Sequence, residues 1–238
     1  MSDHRLAEIT SIPATSIDEV VSIMEQIDGI LPGRDGLKWF NLLYLKVTES
    51  VLNNPPAGGW KDAQWLTRLD VIFAGLYFNA VRNSITGGNP VPKAWRILLN
   101  ARHRSDIMRV QFAICGMNAH INHDLQFAIV QACREQNFSP RLNTSQHQDF
   151  KYVNNILERV EPQMIQYLAT GIVGVIDQSL GRLDNILAMW GVGEARDTAW
   201  ANSEVLWHIR DNPILRKAHL YSVDKITGAF GRGLIIPI

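Results

Sequence analysis

A surplus of either charge, a cysteine framework and an apolar run of membrane length are all missing from this sequence. Lys plus Arg and Asp plus Glu number 23 each, so the formal net charge is zero. No block of like charge stands out, which argues against a nucleic-acid partner and against an anionic membrane surface. A small apolar or amphipathic molecule is the expected partner. The longest apolar runs, such as GIVGVI and GLIIPI, fall far short of the roughly 20 residues that span a bilayer. The first sixteen residues lack the basic-then-apolar order of a secretory signal. Cys115 and Cys133 are the only two cysteines. On one continuous helix their separation is about 27 Å of rise, far beyond the roughly 7 Å between Cα atoms that a disulfide tolerates. Reduced thiols and a cytoplasmic location are the expectation.

Familiar catalytic signatures are missing too. There is no H-E-x-x-H, no G-x-S-x-G and no Cys/His nucleophile arrangement, and the glycine-rich pieces GGNPVP, GVGEAR and GAFGRG follow no strand and lack P-loop spacing.

What is present is helical periodicity. Hydrophobic residues make up 46% and charged residues 19% of the 238, the balance of a globular chain with a substantial core. Ser16 stands three residues before Glu19, a capping-box spacing that opens a helix closing near Gly29. A second helix starts at Asp35 and stops at NPPAGG; Asp62 caps a third, which ends at TGGNP, and Pro92 opens a fourth, shorter one. Residues 106–136 read as one long helix and 145–170 as another, kinked or broken near Pro162. Helices over 174–190 and 194–210 and a last one from Pro213 towards Gly228 complete the series. Alternating strand patterns are absent. The fold class expected is all-α: a single domain over residues 1–238, a bundle of about eight or nine helices around a buried central one, with residues 1–15 and 229–238 peripheral.

The central helix is the unusual one. On a wheel of about 100° per residue, Ile107, Val110, Ile114, Met117, Ile121, Leu125 and Ala128 make one apolar stripe, and Phe112, Gly116, Ala119, Phe127 and Val130 a second. A helix apolar on two sides is surrounded by others. Within it, FAICGMNAHINHDLQFAI places two histidines, two asparagines and an aspartate, where an unpartnered polar group costs several kcal/mol. His120 and Asp124 point the same way at i, i+4; His123 leans about 60° away. Gly116, one turn before His120, either opens space beside the imidazole or permits close helix packing.

The stretch GMNAHINHDL, with LDVIFAGLYFNA and PVPKAW upstream and DFKYVNNIL and ARDTAW downstream, resembles a bacterial family catalogued as a domain of unknown function. The likeness covers most of residues 60–210. It implies a common fold and site in which His120, Asn122 and Asp124 belong to the shared pattern, with Asp70 and Asp149 as companions and His123 at a variable position. It implies no activity.

Three readings of this constellation follow. In the first, a divalent metal is held by His120 and Asp124, with Asp70 or Asp149 as third ligand and an open position for water or a carbonyl, giving an enzyme of hydrolase or lyase type. In the second, a metal-free cyclase or isomerase uses the same atoms: a carboxylate orients His120 as acid or base, while Asn122 or Tyr77 holds a substrate oxygen. In the third, the polar residues only tie helices together in a ligand-binding or scaffold protein. Asp149, in the first turn of its helix, has an alternative role there as a cap or dipole partner. Arg196, one turn before Trp200, suits a buried ion pair with Asp70, Asp149 or Asp177, or a substrate carboxylate. The seven tryptophans fall mostly on apolar helical faces, where packing explains them.

Overall fold

The structure, a computed structural model, describes residues 2–169 and 191–237. It is all-α, with no strand among those residues. In chain order the helices are α1 (Ser2–Ile9), α2 (Ile17–Ile30), α3 (Gly36–Asn53), α4 (Ala63–Thr86), α5 (Lys93–Ala101), α6 (Arg109–Met117), a π-helical segment (Asn118–Asp124), α7 (Leu125–Glu135), α8 (Ser145–Ala169), α9 (Val192–His208) and α10 (Pro213–Leu234). Since α6, the π segment and α7 run on without a break, the described residues hold nine continuous helices. The helix expected over 174–190 lies outside the described residues.

Side-chain caps fix several starts. Ser16 Oγ accepts from the Glu19 amide, while the Glu19 carboxylate turns back to the amide and hydroxyl of Thr15. Asp35 and Asp62 cap α3 and α4 by accepting from Leu37 and Trp65 amides, both at 3.0 Å. Gly87, at φ 68°, closes α4 in the left-handed region where glycine pays no Cβ penalty. Contrary to expectation, α8 continues through Pro162 to Ala169.

The long central helix is enclosed. α3 packs on α6, α4 and α9 flank α7, and α10 lies across α5 and the π segment. Every residue from Val110 to Ile121 is buried. Gly116 resolves in favour of close packing: the Phe40 ring from α3 sits directly on its Cα, where a methyl would overlap it. Gly36 receives the Phe112 ring in the same way, so α3 and α6 lock through two reciprocal ring-on-glycine contacts.

Both termini are expected at the periphery; many of their described residues are exposed, yet each end is anchored in the core by a few buried side chains. Leu6 and Ile9 of α1 are buried, and Asp3 accepts from Arg102 Nη2 at 2.6 Å. At the other end α10 runs six residues past Gly228, and Leu234 and Ile235 are buried. The buried Gln111 amide donates to the carbonyls of Leu234 and Ile236 at 2.8 and 2.7 Å. Apolar anchors plus a satisfied buried amide outweigh the fraying that chain ends otherwise show.

Gly116→Ala is predicted to cost at least ~2 kcal/mol through overpacking against Phe40, lowering Tm by several degrees. Thermal unfolding followed by circular dichroism checks this, and an unchanged Tm would mean that the α3–α6 contact is not as close as described.

Candidate functional site

The π segment breaks the regular α-helix read from the sequence over residues 106–136. Its end is marked by the Leu125 amide donating to the His120 carbonyl, an i to i+5 bond. Such wider turns inside α-helices recur at functional sites. Here the wider turn allows His120 and His123 to reach one carboxylate, although they stand about 60° apart on an α-helical wheel.

That carboxylate is Asp124. It is 3% exposed, and Oδ2 accepts from Trp95 Nε1 at 2.7 Å and contacts His120 Nδ1 at 3.2 Å, while Oδ1 contacts His123 Nδ1 at 2.7 Å. Burial pushes the Asp124 carboxyl up, but the hydrogen bonds and charge of the two histidines outweigh it and hold it below the usual carboxylate range. An ionised carboxylate can only accept, so Nδ1 of His120 carries the proton and its Nε2 presents a lone pair. Burial, partly opposed by Asp124, lowers the His120 pKa, which keeps the ring neutral at neutral pH.

The other side of the His120 ring faces a cavity. Phe73 stacks on it with centroids 3.5 Å apart and planes 4° from parallel, and Tyr44 meets it edge-on at 4.6 Å. The cavity, about 50 Å³, has mainly apolar walls from α3, α4, α8 and the central helix, among them Val47, Val51, Leu66, Leu69, Ile121 and Val153. A water site needs roughly 10–15 Å³, so this space takes a few waters or a group of a few heavy atoms. Its polar lining is Tyr44, Thr48, Asp70, His120 and Arg196. Ile17 and Asp70 are the two lining residues that are only half-buried.

Among the described residues, five buried side-chain polar atoms lack a hydrogen-bond partner. Four of them, Tyr44 Oη, Thr48 Oγ1, Asp70 Oδ2 and His120 Nε2, belong to residues lining this one cavity. The Tyr44 and Thr48 hydroxyls act on each other, whereas a fully unpartnered buried atom costs roughly 1–3 kcal/mol; an occupant of the cavity would satisfy the group. Asp70 keeps some accessible surface, yet Oδ2 has none to speak of and enclosure by protein pushes the carboxyl from 3.8 to about 7, with Arg196 opposing. Burial first, and Asp70 next, raise the Tyr44 hydroxyl well above its usual value, so it remains a donor.

Of the residues singled out from the sequence, His120, Asp70 and Arg196 line the cavity, and Asp124 stands behind His120. Arg196 is charged, though burial lowers it to about 10; its Nε donates to Asn154 Oδ1 at 2.6 Å and its guanidinium lies 4.2 Å from the Phe150 ring centroid. The expected ion pair with Asp70 or Asp149 is replaced by these contacts, and Asp177 lies outside the described residues.

Three expected site residues lie elsewhere. Asp149 does not reach His120: its two oxygens accept from the amides of Lys61 and Asp62, at 3.0 and 2.7 Å, pinning α8 to the start of α4. Tyr77 donates to Asn41 Oδ1 at 3.2 Å. Asn122 donates to Asn118 Oδ1 at 3.0 Å, on a groove shared with α9 and α10. The metal reading loses its donor set here. Asp124 is occupied by three N–H groups, and no three His, Cys, Asp or Glu side chains gather as a ligand set among the described residues. Tyr44, Thr48 and Trp95 were not picked out from sequence, since each occupies an ordinary helical position.

Asp70 supplies a test by pH. Its folded pKa lies above the unfolded one, so the folded state holds the proton while the unfolded state ionises. Stability is greatest below about pH 4, falls as pH rises and levels off above about pH 7. Asp70→Asn removes this term, and its Tm advantage over the wild type is predicted to grow from pH 4.5 to 7.5 by the equivalent of a few kcal/mol. A difference independent of pH, measured by thermal melts across that range, would show that Asp70 ionises normally.

No curated protein matches the chain, and no solved structure does. A family model matches residues 17–237, spanning the cavity, the π segment and every helix from α2 onward. The chain therefore belongs to the family described as a family of unknown function, DUF5995.

Proposed function

We propose that the protein is an acid–base enzyme acting on a small, largely apolar molecule, with His120 as the base. The observation that carries this is four buried polar atoms, without a partner outside their own group, on residues lining one apolar-walled cavity. Asp124 fixes the tautomer of His120 and stabilises the imidazolium that forms when Nε2 takes a proton. Trp95 and His123 hold Asp124 in turn. A metal-free proton transfer, as in an isomerisation or cyclisation, asks for nothing beyond these groups. A cavity of about 50 Å³ takes the reacting end of such a molecule.

Proton transfer leaves an isotopic mark whatever the substrate. A protein-free metabolite extract incubated with the protein in D2O is expected to contain at least one compound that gains a single deuterium with the wild type and none with His120→Gln. Identical mass spectra for the two proteins, both folded by circular dichroism, would contradict the proposal.

A further inference from the structure

The cavity is asymmetric in its hydrogen-bonding character. His120 Nε2 is a lone-pair acceptor, whereas the Tyr44 and Thr48 hydroxyls, which act on each other, have no further partner. Asp70 Oδ2 is equally unpartnered. From these groups we infer that Tyr44 and Asp70 form an oxyanion hole and that the substrate is a carbonyl compound with an acidic α-C–H. This inference rests on the acid–base reading and narrows it to a substrate class.

Several observations support the assignment. A carbonyl oxygen offers two lone pairs and no donor, which suits a cavity lined by a donor from α3 and another from α4. A carboxyl that keeps its proton near neutral pH beside a phenol is an established way to stabilise developing negative charge on oxygen, and enclosure keeps Asp70 protonated up to about pH 7. Arg196 lines the same cavity as a cation, so it adds a favourable field for that charge. The walls otherwise offer hydrocarbon and aromatic faces, and those strengthen hydrogen bonds by excluding water. The titratable and charged groups on the cavity are thus Tyr44, Asp70, His120 and Arg196.

The step balances without any co-reactant. His120 Nε2 takes the proton from the α-carbon, the C–H electron pair becomes the carbon–carbon double bond of an enol, and the carbonyl pair moves onto oxygen. That oxygen accepts from the Tyr44 hydroxyl and receives the Asp70 proton. Return of the proton from His120 to the same carbon reverses the step; delivery to a conjugated carbon, with the enol proton going back to Asp70, completes an isomerisation.

Butanone is small enough to serve as the probe. Its α-protons exchange with D2O through the enol, and the rate is read by proton NMR at pH 6.5. The wild type is expected to accelerate this exchange, His120→Gln to abolish the acceleration, and Tyr44→Phe and Asp70→Leu each to reduce it roughly 100-fold. Tyr152→Phe, a matched hydroxyl deletion outside the cavity, is expected to keep the wild-type rate. Should Asp70→Leu fold poorly, Tyr44→Phe alone decides the outcome. No acceleration by the wild type, or wild-type rates in Tyr44→Phe, would overturn the inference. A deuterium-labelled metabolite that is not a carbonyl compound would overturn it as well, while leaving His120 as the base; butanone exchange that is independent of His120 would sink the acid–base reading itself.

Discussion

A buried carboxylate must be neutralised or surrounded by donors, and Asp124 is surrounded. Three N–H groups from two elements, Trp95 of α5 and His120 and His123 of the π segment, converge on its two oxygens. Everything at the site follows from that arrangement. An ionised Asp124 forces the His120 proton onto Nδ1, and so leaves the Nε2 lone pair outside the network and without a partner. Were Asp124 protonated or differently satisfied, His120 could rotate or change tautomer, and the cavity would lose its acceptor.

The network and the cavity stand in contrast. Both Asp124 oxygens find partners; four polar atoms on residues lining the cavity have none outside that group. Natural cores leave few buried polar atoms unpartnered, and for a stability of about 5–15 kcal/mol a fully unpartnered atom at roughly 1–3 kcal/mol is a heavy burden. The proposed site would use these atoms to meet a polar group inside an apolar pocket. The rigid surroundings fit the same purpose: Phe40 seated on Gly116 and Phe73 stacked on His120 leave the imidazole little freedom to move.

The sequence displayed the framework well because helices declare themselves by period and by caps. Residues 106–136 looked enclosed since two faces were apolar, and the structure encloses them. The His120–Asp124 contact was legible from i, i+4 spacing. The π segment was not, because the apolar stripes run through it at ordinary α-helical spacing. Tyr44 and Thr48 read as routine members of an amphipathic helix, and only the packing of α3 against α4 and the central helix shows that their hydroxyls end without further partners. Asp149 misled for the opposite reason. The family resemblance sets it beside His120, but its oxygens are consumed by the backbone amides of Lys61 and Asp62, brought close by an 88-residue loop closure. The chain ends, judged peripheral by position, carried their own signal in Leu6, Ile9, Leu234 and Ile235.

The most direct measurement is the protonation state of one ring. Nitrogen-15 NMR of the histidine side chains, with His120 assigned through His120→Gln, reports which nitrogen carries the proton. At pH 7 a neutral ring protonated at Nδ1 is predicted, titrating below the usual histidine value. An imidazolium at that pH, or a neutral ring carrying its proton at Nε2, would contradict the account at its root.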